Sequence, residues 1–293
     1  MTRLGFVGTG TMGDPMVACL VRGGHRPLLL DASAGAARRV ADREGLEVAE
    51  GGAALGAACD TVILMLPTSA IVREVCLGPG GLAEGMDGGV IVDMSSSDPI
   101  ETRTLGAELA ERGITLLDAP VSGGVRKARD GTLAIMLGGD DAGAMDAVEP
   151  ALRAMGKVFR AGPLAAGHAT KALNNYVSAA GLLAACEAVI VGRDFGLDPA
   201  VLTEIVNAST GRNNSTENKM AQFILSGAYR DAGFAMSLMA KDVGLAAALG
   251  RHTGHDFPGL GAISEVWAEA SDQLGTGADH TEIMRYLEGL EEG

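Results

Sequence analysis

The strongest constraint on the fold lies at the start of the chain. Leu4 to Val7 is an apolar run with the length of a buried strand, and it leads directly into Gly8, Thr9, Gly10, Thr11, Met12 and Gly13, a GxGxxG pattern. The helix that follows carries Met16, Val17 and Leu20 on one face and stops near Gly23-Gly24, where glycine takes a left-handed cap. A second run, Pro27 to Leu30, ends on Asp31. The three glycines serve different ends. The first permits the tight turn, the second lets the backbone approach a pyrophosphate, and the third lets the helix pack closely on its strand. An acid about twenty residues further on, at the end of the second strand, binds the ribose hydroxyls of NAD and repels the 2′-phosphate of NADP. Strand, glycines, helix, strand and acid together predict a dinucleotide site at Gly8, Gly10, Thr11, Met12, Gly13 and Asp31, with NAD favoured over NADP.

The alternation of strand and helix continues. Thr61 to Leu66 is closed by Pro67, and Val90 to Val92 by Asp93-Met94-Ser95-Ser96. In an open parallel sheet the carboxyl ends of the strands face the ligand crevice, which makes Leu66, Pro67 and Ser96 candidate contacts near the nicotinamide half of the cofactor. The same residues serve equally well as turn and cap residues. Ile114 to Leu117 is followed by Asp118, Ala119, Pro120, Val121, Ser122, Gly123 and Gly124. One hydroxyl and two unobstructed N–H groups in succession can hold a carboxylate without a cation. Leu133 to Leu137, a helix from Ala142, and a short strand Val158 to Arg160 complete the pattern. Beyond residue 163 only helical periods remain. The expected architecture is an α/β, Rossmann-type doubly wound sheet domain over 1–163 and an all-α domain over 164–293, joined by a long helix at about 167–194.

That long run contains no proline and is mostly Ala, Leu, Val and Ile, so its 28 positions predict a helix of about 42 Å. Lys171, Asn174, Asn175 and Ser178 fall at i, i+3, i+4 and i+7, one narrow stripe. A lysine held among apolar residues loses part of its preference for the charged form and moves toward acid/base duty near neutral pH. A solvated helix face is the plainer reading, but the chain has five lysines against eighteen arginines, so lysine is not its usual solvating cation.

Composition narrows the function. Hydrophobic residues make up 47% and aromatics only 3%, so the core is aliphatic, and 23 basic against 37 acidic residues give a net charge of −14. No basic run tracks a phosphate backbone, and nucleic acid is not an expected partner. The acidic cluster Glu288, Glu291 and Glu292 suits a solvated terminus. Cys19, Cys59, Cys76 and Cys186 are irregularly spaced, and His252 and His255 have no ligand neighbours, so neither disulfides nor a metal is expected. With no apolar leader, and Glu187 and Arg193 interrupting the apolar run, the expectation is a cytoplasmic protein without a membrane partner.

GTGTMG at Gly8–Gly13, Met65-Leu66-Pro67, Asp93-Met94-Ser95-Ser96, DAPVSGG at Asp118–Gly124, KALNN at Lys171–Asn175, and Lys241-Asp242 together resemble the β-hydroxyacid dehydrogenases of the 3-hydroxyisobutyrate dehydrogenase type. The resemblance spans nearly the whole chain, and DAPVSGG followed about fifty residues later by KxxNN is its most specific part. It implies that Lys171 is the catalytic lysine and Asn175 the orienting amide. It further implies that Ser122, Gly123, Gly124 and Asn174 bind substrate, and that Lys241 reaches the nicotinamide along with the cofactor contacts above. Only the resemblance promotes Lys241, which by itself looks like a surface residue. The substrate implied is a small hydroxyacid such as 3-hydroxyisobutyrate. The chain departs from the mammalian-type pattern at Thr210, Gly211, Arg212, Asn213, Asn214 and Ser215, a more polar stretch that suggests tartronate semialdehyde, glycerate or threonate instead. Two alternatives stand beside this: an imine reductase, which usually replaces the lysine, and a non-catalytic NAD-binding metabolite reader, which need not keep it. A 6-phosphogluconate dehydrogenase fits less well, since Asn174 stands where that enzyme has histidine. The aliphatic helical domain suggests a homodimer or homotetramer.

Overall fold

A computed structural model describes residues 3–291; Glu292, part of the acidic cluster above, lies outside the described residues. The chain divides into two compact units, the first ending at Lys171 and the second beginning at Ala172, so the division falls inside the long helix.

The first unit contains β1 (Leu4–Val7), α1 (Gly13–Arg22), β2 (Leu28–Leu30), α2 (Ala34–Glu44), α3 (Gly52–Ala58), β3 (Thr61–Leu64), α4 (Ser69–Leu77), α5 (Leu82–Gly85), β4 (Gly89–Asp93) and α6 (Pro99–Ala110). It continues with β5 (Ile114–Asp118), β6 (Val121–Ser122), α7 (Gly124–Asp130), β7 (Leu133–Gly138), α8 (Ala142–Arg153) and β8 (Gly156–Gly162). The sheet order is β2-β1-β3-β4-β5-β7-β6, with β8 on the free side of β7. Side chains alternate across it. Phe6, Ile63, Val92 and Leu117 belong to the apolar cluster on one face, and Val7, Val62, Leu64, Ile91 and Leu116 to the cluster on the other. Helices cover both faces, as a doubly wound sheet requires.

The first five strands of this order are parallel, but β7 runs antiparallel to β5 and β6, and only β8 runs parallel to β7. The sheet is therefore mixed rather than parallel throughout. β5 and β6 form one extended run bent at Ala119-Pro120, and both halves pair with β7, which returns after the short α7. A strand that comes straight back pairs antiparallel; α8 then provides the long crossover that β8 needs to pair parallel.

In the parallel part the carboxyl ends align. Val7 pairs with Leu64, Leu64 with Asp93, and Asp93 with Asp118. The loops that begin at Gly8, Met65, Met94 and Ala119 consequently leave one edge of the sheet together.

The helix α9 (Ala166–Phe195) belongs to both units, its first six residues to the sheet unit. By length and composition it could cross a membrane, with a mean hydropathy of 1.5 over its most apolar window, yet half of that window is buried in the protein. The second unit adds α10 (Pro199–Asn207), a π-helical segment Thr216–Ile224, α11 (Met236–His252), α12 (Pro258–Leu274) and α13 (Ile283–Glu291), with 3₁₀ turns at Tyr229–Ala232 and His280–Glu282. Among the described residues it contains no strand, only an isolated bridge between Ala235 and Asp279. Its core packs Leu182, Cys186, Val243, Trp267 and Ile283.

Candidate active site

The glycine loop has the geometry its sequence predicts. Gly8 sits at φ +96°, and a Cβ there would lie 2.2 Å from Met65 O; a Cβ on Gly13 would lie 1.8 Å from Gly8 O. Both glycines are demanded by the protein's own backbone. Gly10 differs, because a Cβ there would meet nothing within 4 Å, so its face is open to a ligand. The N-terminus of α1 has no side-chain cap, which leaves first-turn N–H groups available to an anion. Asp31 braces this loop: its Oδ2 accepts from Thr9 N at 2.6 Å and Thr9 Oγ1 at 3.1 Å, and its Oδ1 accepts from Ser33 N at 2.8 Å. An open glycine face, free amides and a carboxylate at the end of β2 fit a dinucleotide. On the next loops Ser95, fully buried, accepts from Leu66 N at 2.9 Å, which fixes the Leu66-Pro67 turn, while Ser96 beside it remains partly exposed.

The end of β5 seats the start of α9. Asp118 Oδ1 accepts from Ala165 N and Asp118 Oδ2 from His168 N, both at 2.7 Å. A carboxylate from a distant strand thus supplies the cap that Ala165, at φ +74°, cannot. Burial pushes the Asp118 carboxyl up, opposed by His168 and by these two N–H groups. The fit is tight: a Cβ on Gly167 would lie 2.0 Å from Met136 O and 3.0 Å from Pro120 Cδ. His168 is buried, with Nδ1 2.9 Å from Thr102 Oγ1 and Nε2 3.7 Å from Asp93 Oδ2. Asp93 in turn accepts from Ser95 N at 2.9 Å and Ser97 Oγ at 2.6 Å. Asp93 therefore anchors the serine loop and Asp118 the head of α9, and the buried His168 ring, hydrogen-bonded to Thr102, lies between the two acids. Two residues beyond Pro120 comes Ser122, followed by Gly123 at φ +135° and Gly124 at φ +64°, conformations that glycine tolerates.

Lys171, one turn beyond Gly167, is 9% exposed. Asn175 lies one turn further on the same helix and is also buried, whereas Asn174 is exposed. Asn174 Nδ2 donates to Asn175 Oδ1 at 3.1 Å, and Asn175 Nδ2 donates to Asp242 Oδ2 at 2.6 Å. Lys241 Nζ stands 3.5 Å from the other oxygen of Asp242. Asp242 is buried and fixes the orientation of the Asn175 amide, while Asn174 steadies it from outside.

Sequence reasoning passed over His168, Asp93, Asp118 and Asp242 as individual site residues. His168 lies at i−3 from Lys171, so extending the polar stripe by one turn would have found it; the two strand-end acids and Asp242 stand inside quoted motifs but have no chemistry of their own in one dimension. The polar stretch Thr210–Ser215 also takes on another meaning. Asn213 Oδ1 accepts from Ser215 N at 2.8 Å and Thr216 N at 3.1 Å, while its Nδ2 donates to Gly181 O at 3.3 Å. This is an Asx turn that starts the π-helical segment and ties it to α9. Asn214 and Arg212 are exposed. The polarity of the stretch is accounted for by capping and solvent.

A nucleotide cradle at the carboxyl edge of a parallel sheet, followed by a helix that carries a buried lysine and an oriented amide, defines a dinucleotide-dependent oxidoreductase. The family model described as the NAD binding domain of 6-phosphogluconate dehydrogenase matches residues 3–167, and the one described as NAD-binding of NADP-dependent 3-hydroxyisobutyrate dehydrogenase matches residues 165–287. A 2-(hydroxymethyl)glutarate dehydrogenase of Eubacterium barkeri is 36% identical over 94% of this chain and 91% of its own. A 3-hydroxyisobutyrate dehydrogenase of Pseudomonas aeruginosa is 36% identical over 99% of both. Among solved structures, the Mycobacterium tuberculosis 3-hydroxyisobutyrate dehydrogenase with L-serine superposes with a TM-score of 0.88 at 32% identity, covering 98% of this chain and 99% of that one. A Streptomyces aurantiacus imine reductase, 23% identical with a TM-score of 0.63 over 97% of this chain and 99% of its own, shares the fold. The chain belongs to the β-hydroxyacid dehydrogenase family, NAD(P)-dependent enzymes that act on the CH–OH group of hydroxyacids.

Proposed function

We propose that this chain oxidises a small 3-hydroxyacid with NAD, reversibly, and that Lys171 is its general acid and base. The observation that carries the reading is the buried Lys171 on a helix whose first turn is locked to the Asp118-Pro120 bend and whose next amide, Asn175, is oriented by Asp242. In this reading the Ser122 hydroxyl and the N–H groups of Gly123 and Gly124 hold the substrate carboxylate, and Asn175, steadied by Asn174, orients the carbinol. Lys171 in its neutral form accepts the hydroxyl proton; in the reverse direction its ammonium returns that proton and polarises the carbonyl. Bound nicotinamide supplies the two-electron acceptor or donor. Gly8, Gly10, Thr11, Met12, Gly13, Asp31, Leu66, Pro67, Ser96 and Lys241 are assigned to holding the cofactor, and the carboxylate of Asp31 supports NAD over NADP. Proton transfer of this kind contributes about 10²- to 10⁴-fold in rate. The names of the relatives from Eubacterium barkeri and Pseudomonas aeruginosa support a 3-hydroxyacid substrate. The assembly assigned is a homodimer or homotetramer, and the compartment the cytoplasm.

The test is initial-rate formation of reduced cofactor across a panel of 2- and 3-hydroxyacids, with NAD⁺ and NADP⁺ in parallel. The expected result is turnover of 3-hydroxyacids with a higher kcat/KM for NAD⁺. Silence on every acid together with reduction of cyclic imines would replace this reading with the imine reductase one.

A further inference from the structure

The hydrogen bonds around the buried His168 ring fix where one of its protons sits. Thr102 Oγ1 donates its single hydrogen to Asp98 O at 2.8 Å. At 2.9 Å from His168 Nδ1 it can therefore only accept, and Nδ1 carries a proton. In a neutral ring Nε2 is then a bare lone pair. That atom is buried, has no hydrogen-bond partner among the described residues, and stands 3.7 Å from Asp93 Oδ2. A lone pair against a carboxylate is repulsive, whereas a proton on Nε2 turns the same contact into an attraction.

The second acid adds to this. Asp118 Oδ2 lies 3.8 Å from Nδ1, and the two carboxylates end neighbouring strands as a register pair, each at most 1% exposed. Two like charges so close and so dry are stabilised by a cation between them. The other groups around the cluster are the Ser97 and Thr102 hydroxyls, the Cys76 thiol on α4, which burial and Asp93 keep protonated, and Lys171 one turn further along α9. The acids on the two sides of the ring lead to different parts of the site. Asp93 accepts from Ser95 N, and Ser95 Oγ from Leu66 N, so this acid sets the loops assigned to the cofactor. Asp118 accepts from Ala165 N and His168 N and sets the turn from which Lys171 follows.

We propose that His168 is a positioning residue: its ring is an imidazolium at neutral pH, donating from Nδ1 to Thr102 and from Nε2 toward Asp93, and its charge keeps the serine loop and the head of α9 in register for hydride and proton transfer. The inference rests on the dehydrogenase reading above and adds a residue to its machinery.

The experiment combines nitrogen NMR of isotope-labelled histidine in the wild type, at neutral pH, with kinetics of His168→Asn and His168→Gln. His168 is one of five histidines, and its signals are assigned by their absence from either variant. Both of its nitrogens should show the shift of a protonated, pyrrole-type nitrogen. Asn keeps a donor near the Nδ1 position and loses the one toward Asp93, whereas the amide of Gln reaches the Nε2 position. With a 3-hydroxyacid and NAD⁺, His168→Asn should lower kcat by about 10- to 100-fold, as misplacement of reacting groups does. Both KM values should stay within about threefold, since binding is not what is lost. The primary deuterium isotope effect on kcat should rise as hydride transfer slows, and His168→Gln should recover part of kcat. A bare, pyridine-type Nε2 in the wild type, a loss in His168→Asn carried wholly by KM, or no advantage of Gln over Asn would overturn the assignment and leave the dehydrogenase reading intact. A wild type that turns over no hydroxyacid would overturn that reading and the positioning role with it, whatever the nitrogen shifts.

Discussion

Asp118 ends a strand and caps a different element, and Asp242 orients an amide 67 residues away in sequence. Neither role is visible in one dimension, because an acid's partner is set by where the chain returns. Lys219 follows the same principle: its rarity as one of five lysines was available, but its position beside Ser178 required the fold. The titration of this lysine has a consequence for stability. In the unfolded chain it titrates at its ordinary 10.5, and in the folded protein at about 8. Below pH 8 both states are protonated and folding carries the full penalty of burying the charge. Between pH 8 and 10.5 the folded protein releases the proton first, so this contribution to stability rises with pH. Lys219→Met should therefore melt above wild type at pH 7, with the gap narrowing toward pH 10, as read by thermal denaturation across that range. A gap that stays constant or widens would contradict this description of the Lys219 environment.

Among the elements, α9 does most to place the site. Its length was legible as an apolar, proline-free run, and the observed Ala166–Phe195 contains the expected 167–194. Its seat was not legible, since Gly167 meets Met136 and Pro120 only after the sheet has formed. Gly167→Ala should push the first turn off the bend. Overpacking of this kind costs about 1–3 kcal/mol, and because Lys171 rides on the next turn, kcat should fall along with the melting temperature. Circular dichroism melts and steady-state rates check both; unchanged kcat in a destabilised variant would separate the seat from catalysis. The reversal of β7 escaped the sequence for a different reason: Leu133 to Leu137 is apolar throughout, and an apolar run does not state its direction. The π-helical segment Thr216–Ile224 has the composition of an ordinary helix, and the helical periods read beyond residue 163 do not distinguish the two.

For the molecule as a whole, the helical unit leaves apolar side chains in solvent. Leu173, Val177, Ala184, Ala188, Val191 and Phe195 follow one another along α9 at spacings of three, four or seven, and Phe195 is 85% exposed. Val201 and Ile205 on α10 are exposed as well. A contiguous apolar face of this kind marks an association surface, which supports the proposed self-assembly. Val191→Asp combined with Phe195→Asp should shift the protein toward monomer in light scattering while leaving its far-ultraviolet spectrum unchanged; an unaltered mass would remove this face from the assembly. The two-unit plan itself was legible because strand periods stop at residue 163 and never return. The glycine loop was legible because its glycines recur at a fixed local spacing after a strand, although the approach of Met65 O to Gly8 shows only in the fold.

That Lys171 moves the substrate proton is tested most directly by chemical rescue. Lys171→Ala would be assayed on the best hydroxyacid with NAD⁺, with and without methylamine, alongside cofactor binding by fluorescence. If Lys171 is the acid and base, kcat should fall by about 10²- to 10⁴-fold, cofactor affinity should stay close to wild type, and activity should recover in part as the concentration of free amine grows. Activity within about tenfold of wild type, well short of a general acid/base contribution, or a loss that no amine restores while cofactor binding also fails, would contradict that role.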